Sequence, residues 1–319
     1  YILSMLGSAA VVFCAVPFWR KWCLRVGLID DPGHRKIHAQ PIPLAGGLAV
    51  LTGLLLPWVF GALALNAGFF TLNTVNRLLY GLEHRAWQLG AVLLGALGIT
   101  LLGWVDDKHE LRPGLKFTGQ LVVAVLVAST GLRISLFVPN VLFSYLVTIL
   151  WILTLINAFN FMDNMNGLCS GLGTICALWF GIEAALLGQY LVAAVAFLCA
   201  GALAGFLPFN FPKASVFLGD SGSHLVGYLM AVLAILPHFY STKHPKPLAV
   251  LSPLLILAVP LVDLAWVVCL RWKAGKPFYV GDTNHLSHRL VRCGLTHPQA
   301  VLVIWALALS TGLLSLLLQ

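Results

Sequence analysis

Charge is what this sequence has least of. Only 9% of its 319 residues are charged and 60% are hydrophobic, against roughly 25% and 45–50% in soluble domains. Mean hydropathy is +0.92. No polar stretch is long enough to fold alone, which excludes a separate soluble domain and leaves one unit over residues 1–319. No CxxC pair occurs among the seven scattered cysteines, so they are expected to be small buried hydrophobes rather than a metal or redox motif. Internal repeats and low-complexity segments are also missing. The first apolar segment has no basic region before it and no small-residue cleavage site after it, so it is expected to be a retained helix.

What is there is apolar sequence in helix-length runs. A spanning helix needs about 20 mostly apolar residues. Ten runs qualify, at roughly 1–19, 44–65, 87–105, 115–132, 138–158, 168–187, 189–209, 222–239, 248–270 and 298–318. The expected fold is therefore all-α, a polytopic membrane protein whose solvent is the bilayer. The net charge of +8 is spread over short loops, with no long patch for nucleic acid; a membrane surface or an anionic, phosphate-bearing substrate fits better. Most Lys and Arg fall on one side of the expected topology, and the other holds only Arg77, Arg85, Arg133, Lys243 and Lys246. The basic side is thus expected to be cytoplasmic, with both termini outside. The acids gather there too: Asp30, Asp31, Asp106, Asp107, Glu110, Asp163, Asp220 and Asp282. Asp263 sits within a span, either paired with Arg271 two turns on or shaping a site from inside the membrane.

The polar loops on that side carry the chemistry. In "LLGWVDDKHELRPGLK", Asp106 and Asp107 close a long apolar run. A carboxylate at a helix C-terminus is disfavoured by roughly 0.3–1 kcal/mol, and a second adds repulsion, so the pair needs compensation. In "NAFNFMDNMNGLCSGLG", Asn157 and Asn160 share a helix face, and Asp163 and Asn166 occupy the turn that follows. Capping needs one such residue, and the excess favours a ligand site. "FLGDSGSHLVGY" sets Asp220 on a glycine-rich turn opening a helix, where free N–H groups suit a phosphate. "GDTNHLSHRLVRCG" spaces His285 and His288 three apart, before Arg289 and Arg292. These either contact phosphate, bind zinc, or belong to an interfacial helix drawn to anionic lipid; closed zinc needs more nitrogen and sulfur ligands than the loop offers. In "DDPGHRKIHAQPIPLAGG", Arg35, Lys36 and His38 either hold phosphate or anchor the chain at the cytoplasmic face.

Asp106, Asp107, Asn160, Asp163 and Asp220 are all oxygen donors, and Lys116, the two histidines and Arg289 are the anion-binding complement. Oxygen-rich sites suit Mg²⁺, which keeps waters and substrate phosphates in its shell. Acids, Mg²⁺ and bases together are the equipment for moving a phosphorus group. A Mg²⁺ ion and a diphosphate substrate are the expected compensation for the acidic pair, with Mn²⁺ as a substitute.

"DD" before "LKFTGQ", "NAFNFMDNMNGL", "FLGDSGS" and "HLSHR", in this order, together with "RKIHAQPIPLAGG", resemble the polyprenyl-phosphate N-acetylhexosamine-1-phosphate transferases. That family includes the undecaprenyl-phosphate GlcNAc-1-phosphate transferases and the phospho-MurNAc-pentapeptide translocases. The resemblance spans nearly the whole chain. It implies transfer of a sugar-1-phosphate, with GlcNAc-1-phosphate as first choice, from a UDP-N-acetylhexosamine to undecaprenyl phosphate in the bacterial inner membrane, releasing UMP. This would be the first membrane step of a cell-envelope glycan pathway. Asp220 matches the family's Mg²⁺-binding Asp and Asn160 a second ligand. Asp106 and Asp107 match the paired catalytic acids, and Lys116 the lysine that contacts the diphosphate. Asp163 lies in the catalytic polar loop with Asn157, and Asn166 matches the nucleoside-contacting position, where many bacterial members carry Asp. His285, His288 and Arg289 match the loop that holds phosphate or sugar, and Lys36 and His38 lie in a loop resembling the one before the second helix. Lys108 follows the acidic pair with Glu110 nearby, an unusual local charge balance. The pentapeptide translocases usually have three adjacent histidines, whereas Leu286 and Ser287 intervene here, which favours a simpler UDP-sugar. A homodimer is left open.

Two rivals remain. An ion-coupled transporter would place its acids near the bilayer midplane, where Asp263 alone qualifies. A membrane CDP-alcohol phosphotransferase would carry its acids in a DGxxAR…GxxxDxxxD pattern, which the sequence lacks.

Overall fold

A computed structural model of the chain describes residues 1–30, 41–66, 72–240, 245–277 and 279–319. Lys36 and His38, together with Asp31 and Arg35, lie outside the described residues. Twelve α-helices carry the described fold: α1 Ile2–Val26, α2 Gly46–Asn66, α3 Leu72–His109, α4 Pro113–Ser129, α5 Val141–Met162, α6 Leu168–Leu186, α7 Tyr190–Asn210, α8 Gly219–Ile235, α9 Ser252–Ile256, α10 Ala258–Lys273, α11 Leu286–Arg292 and α12 His297–Ser315. Two short strands, β1 Ile29–Asp30 and β2 Ile42–Pro43, pair antiparallel. Each of the ten expected spans falls on helix. Among the described residues six helices are long and apolar enough to cross a membrane, or seven if α9 and α10 are one broken span.

Local chemistry sets the ends. The Asn140 side chain accepts from Phe143 N–H and starts α5. Thr296 and Gln299 form a reciprocal capping box at α12. Pro113 opens α4, where a missing N–H is harmless. The expected single span at 248–270 is corrected to two helices bent by 68°. Pro260 has no N–H for the carbonyl of Ile256, so the helix cannot run through. That carbonyl accepts instead from the Cys176 thiol at 3.3 Å.

The core is built around α8, which is buried at every position from Ser221 to Ala234. It packs against α2, α3, α5 and α6, while α1 lies along α7. The start of α8 is tied down from a distance. Gly46 and Gly47 N–H groups donate to the carbonyls of Phe217 and Leu218, at 3.0 Å each. At 38 residues, α3 is about 57 Å long, well beyond the roughly 30 Å hydrocarbon core. Its last turn, with Asp106 and Asp107, reaches the start of α8. The approach is close enough that a Cβ on Gly103 would stand 2.4 Å from the Asp220 carbonyl oxygen, so only glycine fits. The cysteine expectation needs correcting: Cys23, Cys169, Cys176 and Cys199 are buried, but Cys14, Cys269 and Cys293 lie exposed on outward faces.

Candidate active site

The two acids that end α3 have different partners. Asp107 accepts from the backbone N–H groups of Asp220 at 2.7 Å and Ser221 at 3.0 Å, one on each carboxylate oxygen. It therefore caps α8 from another helix, satisfying two N–H groups that have no partner within α8 and meeting the positive end of that dipole. Gly219, at φ 73°, makes the turn, and a Cβ there would lie 2.7 Å from Asp107 Oδ2. Asp106 instead accepts from Leu111 N–H at 2.9 Å and faces Lys116. The Lys116 ammonium lies 2.6 Å from Asp106 Oδ2 and 2.7 Å from Asp220 Oδ2, bridging α3, α4 and α8. Part of the compensation expected from a metal and its substrate thus comes from the protein itself.

Asp220 is the hub. Its other oxygen accepts from Asn160 Nδ2 at 2.7 Å, and the same amide donates to Ser223 Oγ at 3.0 Å. One turn on, His224 is completely buried, with neither ring nitrogen hydrogen-bonded. One of its nitrogens lies within 4.8 Å of carboxylate oxygens of both Asp106 and Asp220. An unpaired buried polar group costs about 1–3 kcal/mol, so such a group is a sign of a missing partner. Asp163, just past the end of α5, is pushed up to about 8 by burial and then by the charges of Asp220 and Asp107. The carboxyl groups of Asp106, Asp107 and Asp220 outnumber the single ammonium of Lys116, while Asp163 beside them is mostly neutral at pH 7. That surplus, and the unpartnered imidazole, fit a divalent cation. The Asn160 amide, which presents its nitrogen to Asp220, would have to turn to offer oxygen.

The histidine loop is built separately and then fastened on. Asp263 in α10 accepts from Leu286 N–H at 2.6 Å with one oxygen, and its other oxygen is 2.7 Å from His285 Nδ1. The carboxylate is an acceptor, so Nδ1 carries the proton and Nε2 is left for other work. Of the two alternatives for Asp263, its contacts with His285 and Leu286 match the shaping of a site rather than a pair with Arg271. Arg271 Nε donates to Asp282 Oδ2 at 3.0 Å, because the chain after α10 turns back and brings Asp282 beside it. Burial opposes ionisation of Asp282, but Arg271 and the Asn284 N–H outweigh it and hold the carboxyl below its ordinary range. Ser287 Oγ donates to Asn164 Oδ1 at 2.7 Å, and His285 meets the edge of Phe161. These contacts fix α11 against the α5–α6 turn. His285 is the residue before α11 and His288 lies within it, their rings 6.3 Å apart. Burial first, then the neighbouring His285, His297 and Arg292, hold His288 below the usual imidazole range against the opposing charge of Asp263. Arg289 stacks over Trp266 at 4.9 Å. Neither histidine belongs to a metal-capable group among the described residues; Asp106, Asp220 and His224 form the one such group there.

Two expected residues stand apart from the acids. Asn157 donates to Gln120 Oε1 and to the Leu153 carbonyl, both at 2.8 Å, joining α5 to α4. Asn166 donates weakly to the Pro212 carbonyl at 3.3 Å. A cavity of about 800 Å³, lined by His84, Arg85, Arg133, Trp151 and His238, opens near the other end of α3 and contains none of the candidate residues. His224, Ser223 and the Asp263–His285 pair were missed in sequence. Only His224 left a signal, its i+4 spacing from Asp220, which puts both on one helix face.

Comparison with known proteins agrees with this geometry. Residues 89–238 match glycosyl transferase family 4. That segment carries every acid of the cluster, Lys116, Asn160 and His224, and stops before the histidine loop. Over its whole length the chain is 31% identical to a probable undecaprenyl-phosphate N-acetylglucosaminyl 1-phosphate transferase of Bacillus subtilis, covering 85% of that protein. It is 32% identical to a decaprenyl-phosphate N-acetylglucosaminephosphotransferase of Mycobacterium leprae, over 88% of this chain and 74% of the relative. It is 27% identical to the undecaprenyl-phosphate alpha-N-acetylglucosaminyl 1-phosphate transferase of Escherichia coli K12, over 93% and 79%. The chain belongs to the polyprenyl-phosphate N-acetylhexosamine-1-phosphate transferases of glycosyl transferase family 4.

Proposed function

We propose that this protein transfers N-acetylglucosamine-1-phosphate from UDP-N-acetylglucosamine to undecaprenyl phosphate, releasing UMP, in a divalent-cation-dependent reaction. The observation that carries this reading is the convergence of Asp107, Asn160 and Lys116 on Asp220, with Asp106 on the same ammonium, a cluster with more carboxyl groups than cations. The named activities of its relatives supply the sugar and the acceptor. In this reading all ten apolar segments span the bacterial inner membrane, both termini face outward, and the cluster opens to the cytoplasm.

The acceptor phosphate is mostly dianionic at pH 7, because its second pKa is near 6. It needs little help from a base. One of its oxygens attacks the sugar-bearing phosphorus; the bond from that phosphorus to the bridging oxygen breaks, and UMP leaves with the electron pair. The larger task is to bring two anions together. Asp220 and Asn160 hold Mg²⁺, with Mn²⁺ as a substitute, which when bound supplies positive charge to the diphosphate. Lys116 is released from its carboxylates toward the phosphates. Asp107 positions α8 through its two backbone contacts, and Asp106 orients Lys116. His285, with its proton placed on Nδ1 by Asp263, offers Nε2 to sugar or phosphate alongside His288 and Arg289. Asp163, mostly protonated at pH 7, stands behind Asp220 and would ionise as a cation is bound there, and Asn166 contacts the nucleoside.

A panel of UDP-sugars tested in detergent decides the reading. UMP release should require undecaprenyl phosphate and be fastest with UDP-N-acetylglucosamine. A preference for the UDP-MurNAc-pentapeptide would move the protein to the translocase branch. Release independent of any lipid phosphate would end the proposal.

A further inference from the structure

His224 takes no part in the reaction described above, yet it is the most conspicuous buried polar group in the cluster. It follows Asp220, Ser221 and Ser223 in the first turns of α8, fully enclosed, and both ring nitrogens lack a hydrogen-bond partner. Its nearest charged groups are Asp106, Asp220 and Lys116. Buried imidazoles ordinarily find a donor or acceptor. Here the spacing from Asp220 turns the ring toward the two carboxylates, within 4.8 Å of an oxygen of each. Ser221 Oγ, the next residue after Asp220, is also buried without a partner. A neutral imidazole has one N–H, which a carboxylate can accept, and one bare nitrogen, which gains from a donor proton or from a metal.

We propose that His224 supplies a nitrogen ligand to the cation that Asp220 would hold, which makes this a mixed nitrogen–oxygen site that takes Mn²⁺ in place of Mg²⁺ more readily than an all-oxygen site would. The inference rests on the divalent-cation reading given above. Mg²⁺ is hard and is normally held by oxygen, whereas imidazole suits transition metals.

The test is pulsed electron paramagnetic resonance on the full chain in detergent, stripped with chelator and loaded with Mn²⁺. One arm has the metal alone. The other adds inorganic pyrophosphate, a nitrogen-free stand-in for the donor diphosphate. The spectrum should show coupling to a directly bound nitrogen, and that coupling should change isotope pattern when the protein is grown with ¹⁵N-histidine. In His224→Leu the coupling should vanish, Mn²⁺ should bind roughly tenfold more weakly, and Mg²⁺ binding should change less than about threefold. Bound Mn²⁺ without a histidine nitrogen overturns the inference and leaves the cation site intact. No protein-bound Mn²⁺ in either arm overturns both. If His224→Leu does not fold, the ¹⁵N-histidine protein and His224→Gln decide: coupling that persists in His224→Gln belongs to another histidine and overturns the assignment.

Discussion

Two groups of acids meet bases in this molecule, and they are balanced differently. Around Asp263 and Asp282 the accounts of charge and hydrogen bonding close: His285 and the Leu286 N–H face one carboxylate, Arg271 and the Asn284 N–H the other. Around Asp220 they do not close. Asp106 and Asp220 share one ammonium, Asp107 beside them meets only backbone N–H groups, and His224 has no hydrogen-bond partner. A balanced group can serve as a scaffold. An unbalanced one gains from a bound cation, and in the reading proposed above the chemistry falls to α3, α4, α5 and α8 and the positioning to α10 and α11.

The largest expected effect comes from the hub. Asp220→Ala should lower the rate of UMP release by at least about 10³-fold, with helical content unchanged by circular dichroism. Normal turnover in a folded variant would put the reacting groups elsewhere. Lys116→Met should come next, at roughly 10²-fold or more. It also sharpens the contrast, because it worsens the imbalance. Added Mg²⁺ should raise the melting temperature of Lys116→Met more than that of the parent, and an equal shift would mean that Lys116 does not offset the acids. Asp263→Asn should cost about 10- to 100-fold in kcat through the misplaced His285 proton. A loss as large as that of Asp220→Ala would erase the distinction between the groups. The smallest effect is expected at Asp282→Asn, about 1 kcal/mol or less of stability, since this pair is partly exposed. Its folded-state pKa is depressed, so the contribution is present above the unfolded value near 4 and lost as pH falls through the folded value. Thermal melts of Asp282→Asn and parent should converge as acid protonates Asp282 in the folded protein; a difference that persists in strong acid would contradict the pairing.

The helices were legible because lipid-facing segments have to be apolar over a full membrane thickness, and all ten runs fall on helix. The broken α9–α10 segment was not, because hydropathy is blind to one missing N–H at Pro260. The residues that meet at Asp220 were legible by type: clustered Asp and Asn at helix ends stand out in a chain with so few polar groups. Their roles were less so. Nothing in two adjacent aspartates distinguishes Asp107, which caps α8, from Asp106, which meets Lys116, because the partners come from distant parts of the chain. Asp263 was left between two readings for a related reason. Its spacing from Arg271 satisfies a helix, but the return of the loop at Asp282 and His285 offers better partners. His224 was hidden by its setting, since one histidine in an apolar helix resembles any buried side chain until the carboxylates beside it are seen.

The central claim is that the Asp220 group is incomplete without a divalent cation. UMP release from UDP-N-acetylglucosamine and undecaprenyl phosphate, measured on chelator-stripped protein during titration with Mg²⁺, tests it most directly. The account predicts negligible release before Mg²⁺ is added, saturable recovery in the parent, and no recovery in Asp220→Ala. Full turnover by the stripped parent protein would contradict it.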